Sequence, residues 1–99
     1  MSIYDGFLGE HVVIRTYSAG VHVGTLIAIK ETTVVLADAR RIYKWGGAFT
    51  LSEIAVSGLT PDASRMAVAI PRILLTQAIE VLPTSELARA TFDATHEAV

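Results

Sequence analysis

The first half of the chain contains four short segments rich in β-branched and aromatic side chains, and this pattern constrains the fold more than any other feature. The segments are His11–Tyr17, Val21–Lys30, Thr33–Ala37 and Arg40–Trp45. Apolar alternation over such lengths, interrupted by tight turns, is typical of antiparallel strands. We therefore expect a mainly β protein of the α+β class. It is either a small, strongly bent antiparallel sheet or an Sm-like or SH3-like barrel, with about five to six strands and two short helices.

Two glycines in this region carry further predictions. Gly20 follows Ser18 and Ala19, and its freedom to adopt a positive φ predicts a turn there. Gly24 lies inside the second segment, where a glycine indicates a β-bulge or the close approach of another backbone.

A helix is predicted over about residues 50–57 by its start and stop signals. Thr50 and Glu53 form a capping box, and Phe49 and Ile54 are spaced for a hydrophobic staple. Gly58 is expected to end the helix. So short a helix is not stable alone, so we expect it to pack on the sheet through Leu51, Ile54 and Ala55.

The C-terminal third has weaker signals. Met66–Ile70 is predicted as a strand that Pro71 stops or confines to an edge. Residues 73–76 are expected to form a turn and residues 77–82 a further strand, because the position before Pro83 avoids the helical region. Thr84 is expected to cap a final helix over about 84–93, and 94–99 to form a frayed tail.

Composition bounds the class of protein. The 99 residues suit a single domain spanning 1–99, with residues 1–10 as a lead-in. The chain has no cysteine, no signal-peptide pattern and no apolar run long enough to cross a membrane. Its net charge of −2 argues against a broadly basic nucleic-acid binder. The 52% hydrophobic content reflects either surface covered in a homo-oligomer or simply the abundance of alanine.

The fourth segment carries the densest basic and aromatic cluster. On a strand, Arg41, Tyr43 and Trp45 share one face, and Arg40, Ile42 and Lys44 share the other. An arginine beside flat rings can pair with a phosphate and stack a base. The alternative is that the aromatics belong to the core and the cations form a solvated edge.

A second cluster surrounds the Ser18-Ala19-Gly20 turn. Arg15 and Tyr17 lie on one face of the first segment, with Ser18 and His22 nearby in sequence. Turn amides can bind an anion, and the two clusters would converge if the first and fourth strands approached each other. The alternative is a surface arginine and a turn tyrosine without a ligand.

Searches for catalytic and metal-binding patterns give no candidates. The three histidines, His11, His22 and His96, have no metal-ligand spacing, and no G-x-S-x-G or phosphate-loop motif occurs. We therefore expect no catalytic residues, no metal, no cofactor and no enzymatic activity.

Two motifs carry a resemblance to a known family. They are R-T-Y-S-A-G-V at residues 15–21 and A-R-R-I-x-x-W-x-G-A at residues 39–48, accompanied by Gly24-Thr25-Leu26 and Leu51-Ser52. With these, residues 9–88 resemble a family of small proteins of unknown function found in bacteriophage and prophage genomes. His22 stands where an aromatic is common in such proteins, and the turn over residues 30–33 is shorter. The resemblance implies a viral accessory protein, cytoplasmic in the infected bacterium, with no established activity.

These observations leave three hypotheses. The first is a binding module for a nucleotide or cyclic oligonucleotide, by analogy with oligomeric phage sponges for bacterial immune signals. It would use Arg15, Tyr17, Ser18, Arg40, Arg41, Tyr43 and Trp45. The second is an Sm-like oligomer that binds single-stranded nucleic acid. The third is a structural or protein-interaction subunit without a small ligand.

Overall fold

The computed structural model describes residues 2–95 and shows an antiparallel sheet of six strands with two α-helices, which confirms the mainly β expectation. The elements in chain order are β1 (His11–Thr16), β2 (Val21–Lys30), β3 (Thr33–Lys44), α1 (Leu51–Ser57), β4 (Arg65–Met66), β5 (Ile70–Leu75), β6 (Ala78–Pro83) and α2 (Glu86–Ala94). Short 3₁₀ helices lie at Asp5–Phe7 and Pro61–Ala63.

The sheet is strongly curled. Its order is β4-β3-β2-β1-β6, and β5 also pairs with β3. In a flat sheet β5 and β6 would lie four spacings apart, on the order of 19 Å. Only Thr76 and Gln77 separate them in sequence, and the three steps from Leu75 to Ala78 span at most ~11 Å. The edges therefore curl toward each other. Within residues 2–95 no ladder joins them, so the bent sheet is confirmed and the closed barrel is wrong.

β3 replaces two predicted strands. The sequence allows either a tight bend or a continuous path at Asp38 and Ala39; the strand is continuous and passes through a bulge, where Asp38 has a φ of 50°. Opposite it, the register with β2 shifts at Gly24. A Cβ atom on Gly24 would lie 2.9 Å from the carbonyl oxygen of Ala37. The bulge and the close backbone approach predicted at this glycine are both confirmed.

Most of the predicted signals around α1 are present. Thr50 Oγ1 accepts a hydrogen bond from the Glu53 N–H at 3.1 Å, and Gly58, with a φ of 81°, ends the helix. The Glu53 carboxylate accepts from the Phe49 N–H rather than from the N-cap residue. The hydrophobic staple is wrong, because Phe49 is 95% exposed while Ile54 is fully buried.

The region between the helices differs most from the prediction. The strand expected over 66–70 is divided between β4 and β5, and residues 73–75 of the turn expected over 73–76 are part of β5. The reason is tertiary, since Ile73 and Leu75 pair with β3 and join its apolar cluster. Pro71 lies on a strand that pairs on one side only, as expected for a residue without an N–H.

α2 begins one residue later than predicted. Ser85 is its N-cap, with Oγ accepting from the Ala88 N–H at 3.0 Å. Thr84, just after β6, instead forms hydrogen bonds with His11 at the start of β1. Its Oγ1 donates to the carbonyl of His11 at 3.1 Å and accepts from His11 Nδ1 at 2.6 Å. The helix continues to Ala94. Of the predicted tail, residues 96–99, including His96, lie outside the described residues.

Apolar side chains are buried on both faces of the sheet. The helix-side core lies beneath α1 and α2 and includes Val13, Val23, Ile42, Ile54 and Phe92. The inner core fills the curl of the sheet and includes Val12, Ile14, Leu26, Val34, Leu36, Ala39 and Leu75. Within residues 2–95 no helix has the length and apolar character needed to cross a membrane.

Candidate functional site

The bulge in β3 decides which way its two arginines point. Strict alternation from Leu36, which is in the inner core, would place Arg40 on the inner face and Arg41 on the helix side. The extra residue reverses this order, because Ala39 joins the inner core and Ile42 joins the helix-side core. Arg40 therefore lies on the helix side and Arg41 on the inner side.

Arg40 ties the sheet to the end of α2. Its guanidinium donates to the carbonyl of Phe92 at 2.9 Å and to that of Thr95 at 3.3 Å. Its Nε donates to the carbonyl of Ala67 at 3.0 Å. The C-terminal carbonyls of a helix lack intrahelical partners and carry partial negative charge. The geometry gives Arg40 a structural role, and its predicted role in ligand binding stays a prediction.

Arg41 lies at the rim of an apolar cavity. Its cross-strand partner is His22 on β2. The cavity has a volume of about 210 Å³, and we call it the Arg41 cavity; it is lined by His22, Ala39, Arg41, Ala67, Val68, Ile70 and Ile73. Among residues 2–95 the Arg41 side chain has no hydrogen bond or ion pair with another residue. Its guanidinium is therefore available to an anion.

His22 is buried beside this arginine. Its Nε2 lies 2.9 Å from the carbonyl oxygen of Ala19, which can only accept, so Nε2 carries the proton and Nδ1 is the acceptor in the neutral ring. Burial lowers the pKa of His22 from its ordinary value of 6.5, and the positive charge of Arg41 lowers it further, against the opposing hydrogen bond to Ala19. The ring is therefore neutral at pH 7.

Tyr43 and Trp45 do not belong to either core. Their side chains are 58% and 37% exposed, so the alternative that they are core aromatics is wrong. Tyr43 lies two residues beyond Arg41 on β3, and Trp45 follows the end of the strand. Both rings are accessible to a ligand, although neither lines the Arg41 cavity.

The structure does not bring the second predicted cluster to the first. Arg15 is the cross-strand partner of Val21, and Val21 is in turn the partner of Ile42. Val21 and Ile42 both pack in the helix-side core. Arg15 therefore lies on the helix side of the sheet, opposite to the face of Arg41. Its guanidinium binds the Glu80 carboxylate at 3.3 Å. Tyr17 is 79% exposed at the turn. Ser18 Oγ donates to the side-chain oxygen of Gln77. None of these three residues lines the Arg41 cavity.

Sequence reasoning missed the apolar wall of the cavity. Val68, Ile70 and Ile73 were assigned to a strand and a turn without any functional role. Pro71 indicated that this segment is an edge strand, which was the one signal in the sequence. The pairing of the segment with β3 depends on the tertiary fold and could not be predicted. Across residues 2–95 no group of three or more histidine, cysteine or acidic side chains could hold a metal ion.

Comparison with known proteins places the chain in a family. No curated protein gave a significant match to the sequence. The model of one protein family matches residues 9–92, a span that runs from the residues just before β1 into α2 and includes both arginines of β3. The chain therefore belongs to the family described as Domain of unknown function (DUF6948).

Proposed function

We propose that this chain is a non-enzymatic binding module for a nucleotide, with the base in the Arg41 cavity and a phosphate at Arg41. The observation that carries the proposal is a guanidinium without a protein partner, among the described residues, at the rim of an apolar cavity. Ligand sites typically combine an apolar lining with a few polar groups that fix orientation. A nucleotide has the matching chemistry of a flat ring and an anion.

The size of the cavity limits what one chain holds. Its volume of about 210 Å³ is below the range of roughly 300–1,000 Å³ common for drug-sized ligands. One ring system fits, whereas a whole cyclic oligonucleotide does not. A cyclic or linear oligonucleotide would thus be shared between copies in a homo-oligomer, with one nucleotide unit held by each chain.

His22 gives the site a pH dependence. A phosphate bound at Arg41 would offset the positive charge that lowers the pKa of His22. The pKa of His22 then rises on binding, so binding is accompanied by proton uptake. By linkage, affinity for the phosphate increases as the pH falls through the range in which His22 titrates.

The biological setting that we propose rests on the resemblance of residues 15–21 and 39–48 to motifs of phage and prophage proteins. In this setting the chain is a phage accessory protein in the cytoplasm of the infected bacterium. A binding module without catalytic groups would act by sequestration, and the cyclic nucleotides of bacterial immune signalling are the ligands of that class. The residue motifs support this proposal, as does Arg41, which has no side-chain partner among residues 2–95.

Calorimetry tests the proposal most simply. Titrate a panel of mononucleotides and cyclic di- and trinucleotides into the wild-type chain, Arg41→Gln and the control Arg89→Gln, an exposed arginine on α2. We expect at least one ligand to bind, with affinity reduced about tenfold or more by Arg41→Gln, because a charge-assisted pair is lost. Binding unchanged in Arg41→Gln, or no heat from any ligand, would overturn the proposal.

The competing single-strand hypothesis has its own signature. A protein that neutralises many backbone phosphates loses affinity steeply as salt rises. A short single-stranded RNA or DNA that binds with such a salt dependence, while mononucleotides do not bind, would favour that function instead.

A second candidate function is assembly or protein interaction. Apolar side chains are exposed on and before the edge strand β5, including Val68 at 57% and Leu74 at 60%. Such patches often mark contacts with another chain, and a homo-oligomer would cover them. The native mass, measured with and without nucleotide, tests this candidate. A mass of 10.6 kDa under both conditions would exclude a stable homo-oligomer.

A further inference from the structure

Two cations lie opposite each other where β3 ends and β4 begins. Lys44 and Arg65 are direct cross-strand partners, set opposite each other by a bulge after Ile42. Both side chains are exposed. Residues opposed in this way have Cβ atoms about 4.5–5.5 Å apart, and like charges so placed destabilise the pair. The arrangement therefore has a cost that the fold alone does not explain.

Among the described residues, no carboxylate forms an ion pair with either of these cations. Within residues 2–95 the ion pair found is Arg15 with Glu80, so neither Lys44 nor Arg65 has a carboxylate within reach. Arg65 donates to the carbonyl of Ser64 at 2.7 Å, which restricts its guanidinium to this end of the sheet. The whole chain has a net charge of −2, so this local positive charge is opposite in sign to the net charge of the protein. An anion held between the two side chains would relieve the repulsion.

We infer that Lys44 and Arg65 form a phosphate-binding site of their own. The inference rests on the proposed function in one respect: the ligand of the Arg41 cavity then carries a further phosphate group. Lys44 lies three residues beyond Arg41 on β3, on the order of 10 Å along the strand. A guanidinium offers a planar pair of donors to phosphate oxygens and an ammonium offers a point charge. The ligand class is a nucleotide with a phosphate chain or a second phosphodiester.

Trp45 provides a reporter next to this site. It is the only tryptophan in the chain and follows Lys44 directly. Titrate inorganic pyrophosphate into the wild-type chain at low salt and follow Trp45 fluorescence. Compare Lys44→Gln and Arg65→Gln with the control Lys30→Gln, which removes a cation at the far end of β2. We expect about tenfold weaker binding for each of the first two variants and no change for the control. Affinities equal to wild type in both would overturn the inference.

Stability without ligand gives an independent readout. If the two cations repel each other, removing either one leaves the melting temperature unchanged or raises it at low salt. A clear drop in both variants would overturn the inference, because it would show that the two side chains stabilise the fold through other contacts.

The two sites can fail separately. If AMP binds and is lost with Arg41→Gln while pyrophosphate has no effect on the wild-type chain, the phosphate site is overturned and the proposed function stands. If pyrophosphate binds through Lys44 and Arg65 but no nucleotide occupies the Arg41 cavity, the phosphate site stands and the proposed function fails.

Discussion

Arg40 and Arg41 are neighbours in sequence, yet they lie on opposite faces of the sheet and have different surroundings. Arg40 donates to three backbone carbonyls and joins β3 to the end of α2. Arg41, one residue later, points to the other face and lines a cavity without a partner among the described residues. The difference teaches that residue type alone does not separate an arginine bonded into the fold from one that lies at a cavity without a protein partner. The register of the strand separates them.

The largest expected effect is the loss of stability when the side chain of Arg40 is removed. Arg40→Ala should lower the free energy of unfolding by roughly 2–4 kcal/mol, because it leaves helix-end carbonyls without their charged donor. Urea unfolding measures the change. Arg40→Lys should recover only part of it, since one ammonium cannot reach three carbonyls in the same geometry. A loss smaller than about 0.5 kcal/mol would show that Arg40 is a surface residue like any other.

The next effect tests the bulge that orients the two arginines. Gly24→Ala should destabilise the fold by roughly 1–3 kcal/mol, the range for overpacked sites, because the new Cβ atom meets the Ala37 carbonyl oxygen at 2.9 Å. The matched control is Gly6→Ala, where a Cβ atom has no neighbour within 4 Å. Equal stability of the two variants would mean that the backbone at the bulge is not tightly packed.

A smaller effect concerns the histidine that faces Arg41. Burial lowers the pKa values of both His22 and His11 below the ordinary 6.5, so the unfolded chain takes up protons before the folded one. The free energy of unfolding should therefore decrease as the pH falls from about 7.5 to about 5.5, and level off only below the folded pKa values.

Variants separate the two histidines. His22→Gln should reduce this pH slope and His11→Gln should reduce it independently, as measured by urea unfolding at several pH values. A slope that neither substitution alters would assign the pH dependence to other groups.

The smallest effect on stability is expected for Arg41, the second arginine of the comparison. Arg41→Gln should change the free energy of unfolding by less than about 0.5 kcal/mol, as for exposed residues without partners. Its consequence is expected in ligand binding alone. A loss of stability comparable to that of Arg40→Ala would mean that both arginines support the fold.

Local signals in the sequence predicted a good part of this architecture. Alternating β-branched residues predicted β1 and β2, the capping box predicted α1, and Gly24 predicted a bulge. The path of β5 was not predictable, because Ile73 and Leu75 become a strand only by pairing with β3, far away in sequence. The exposure of Phe49 likewise depends on what lies beside it in the fold.

The candidate site was predictable only in outline. The sequence drew attention to Arg40 and Arg41 together, with Tyr43 and Trp45, but it could not say which arginine faces which side. A one-residue change of register exchanges their faces. Gly24 indicated a bulge in β2 or a close approach, but not that the extra residue would lie on β3, immediately before the two arginines. The sequence allowed Arg15 to converge with this cluster only if the first and fourth predicted strands approached each other, and the convergence does not occur, because Arg15 projects from the opposite face.

Arginine side-chain NMR tests the central claim most directly. The Nε–H resonances of Arg40 and Arg41, assigned with Arg40→Lys and Arg41→Lys, are recorded with and without the nucleotide that binds best. Arg40 Nε–H donates to the Ala67 carbonyl, so it should exchange slowly with water and keep its position when ligand is added. Arg41 Nε–H should exchange rapidly in the free protein and shift on binding. The opposite pattern, with Arg40 shifted by ligand and Arg41 protected without it, would contradict the assignment of structure to one arginine and binding to the other.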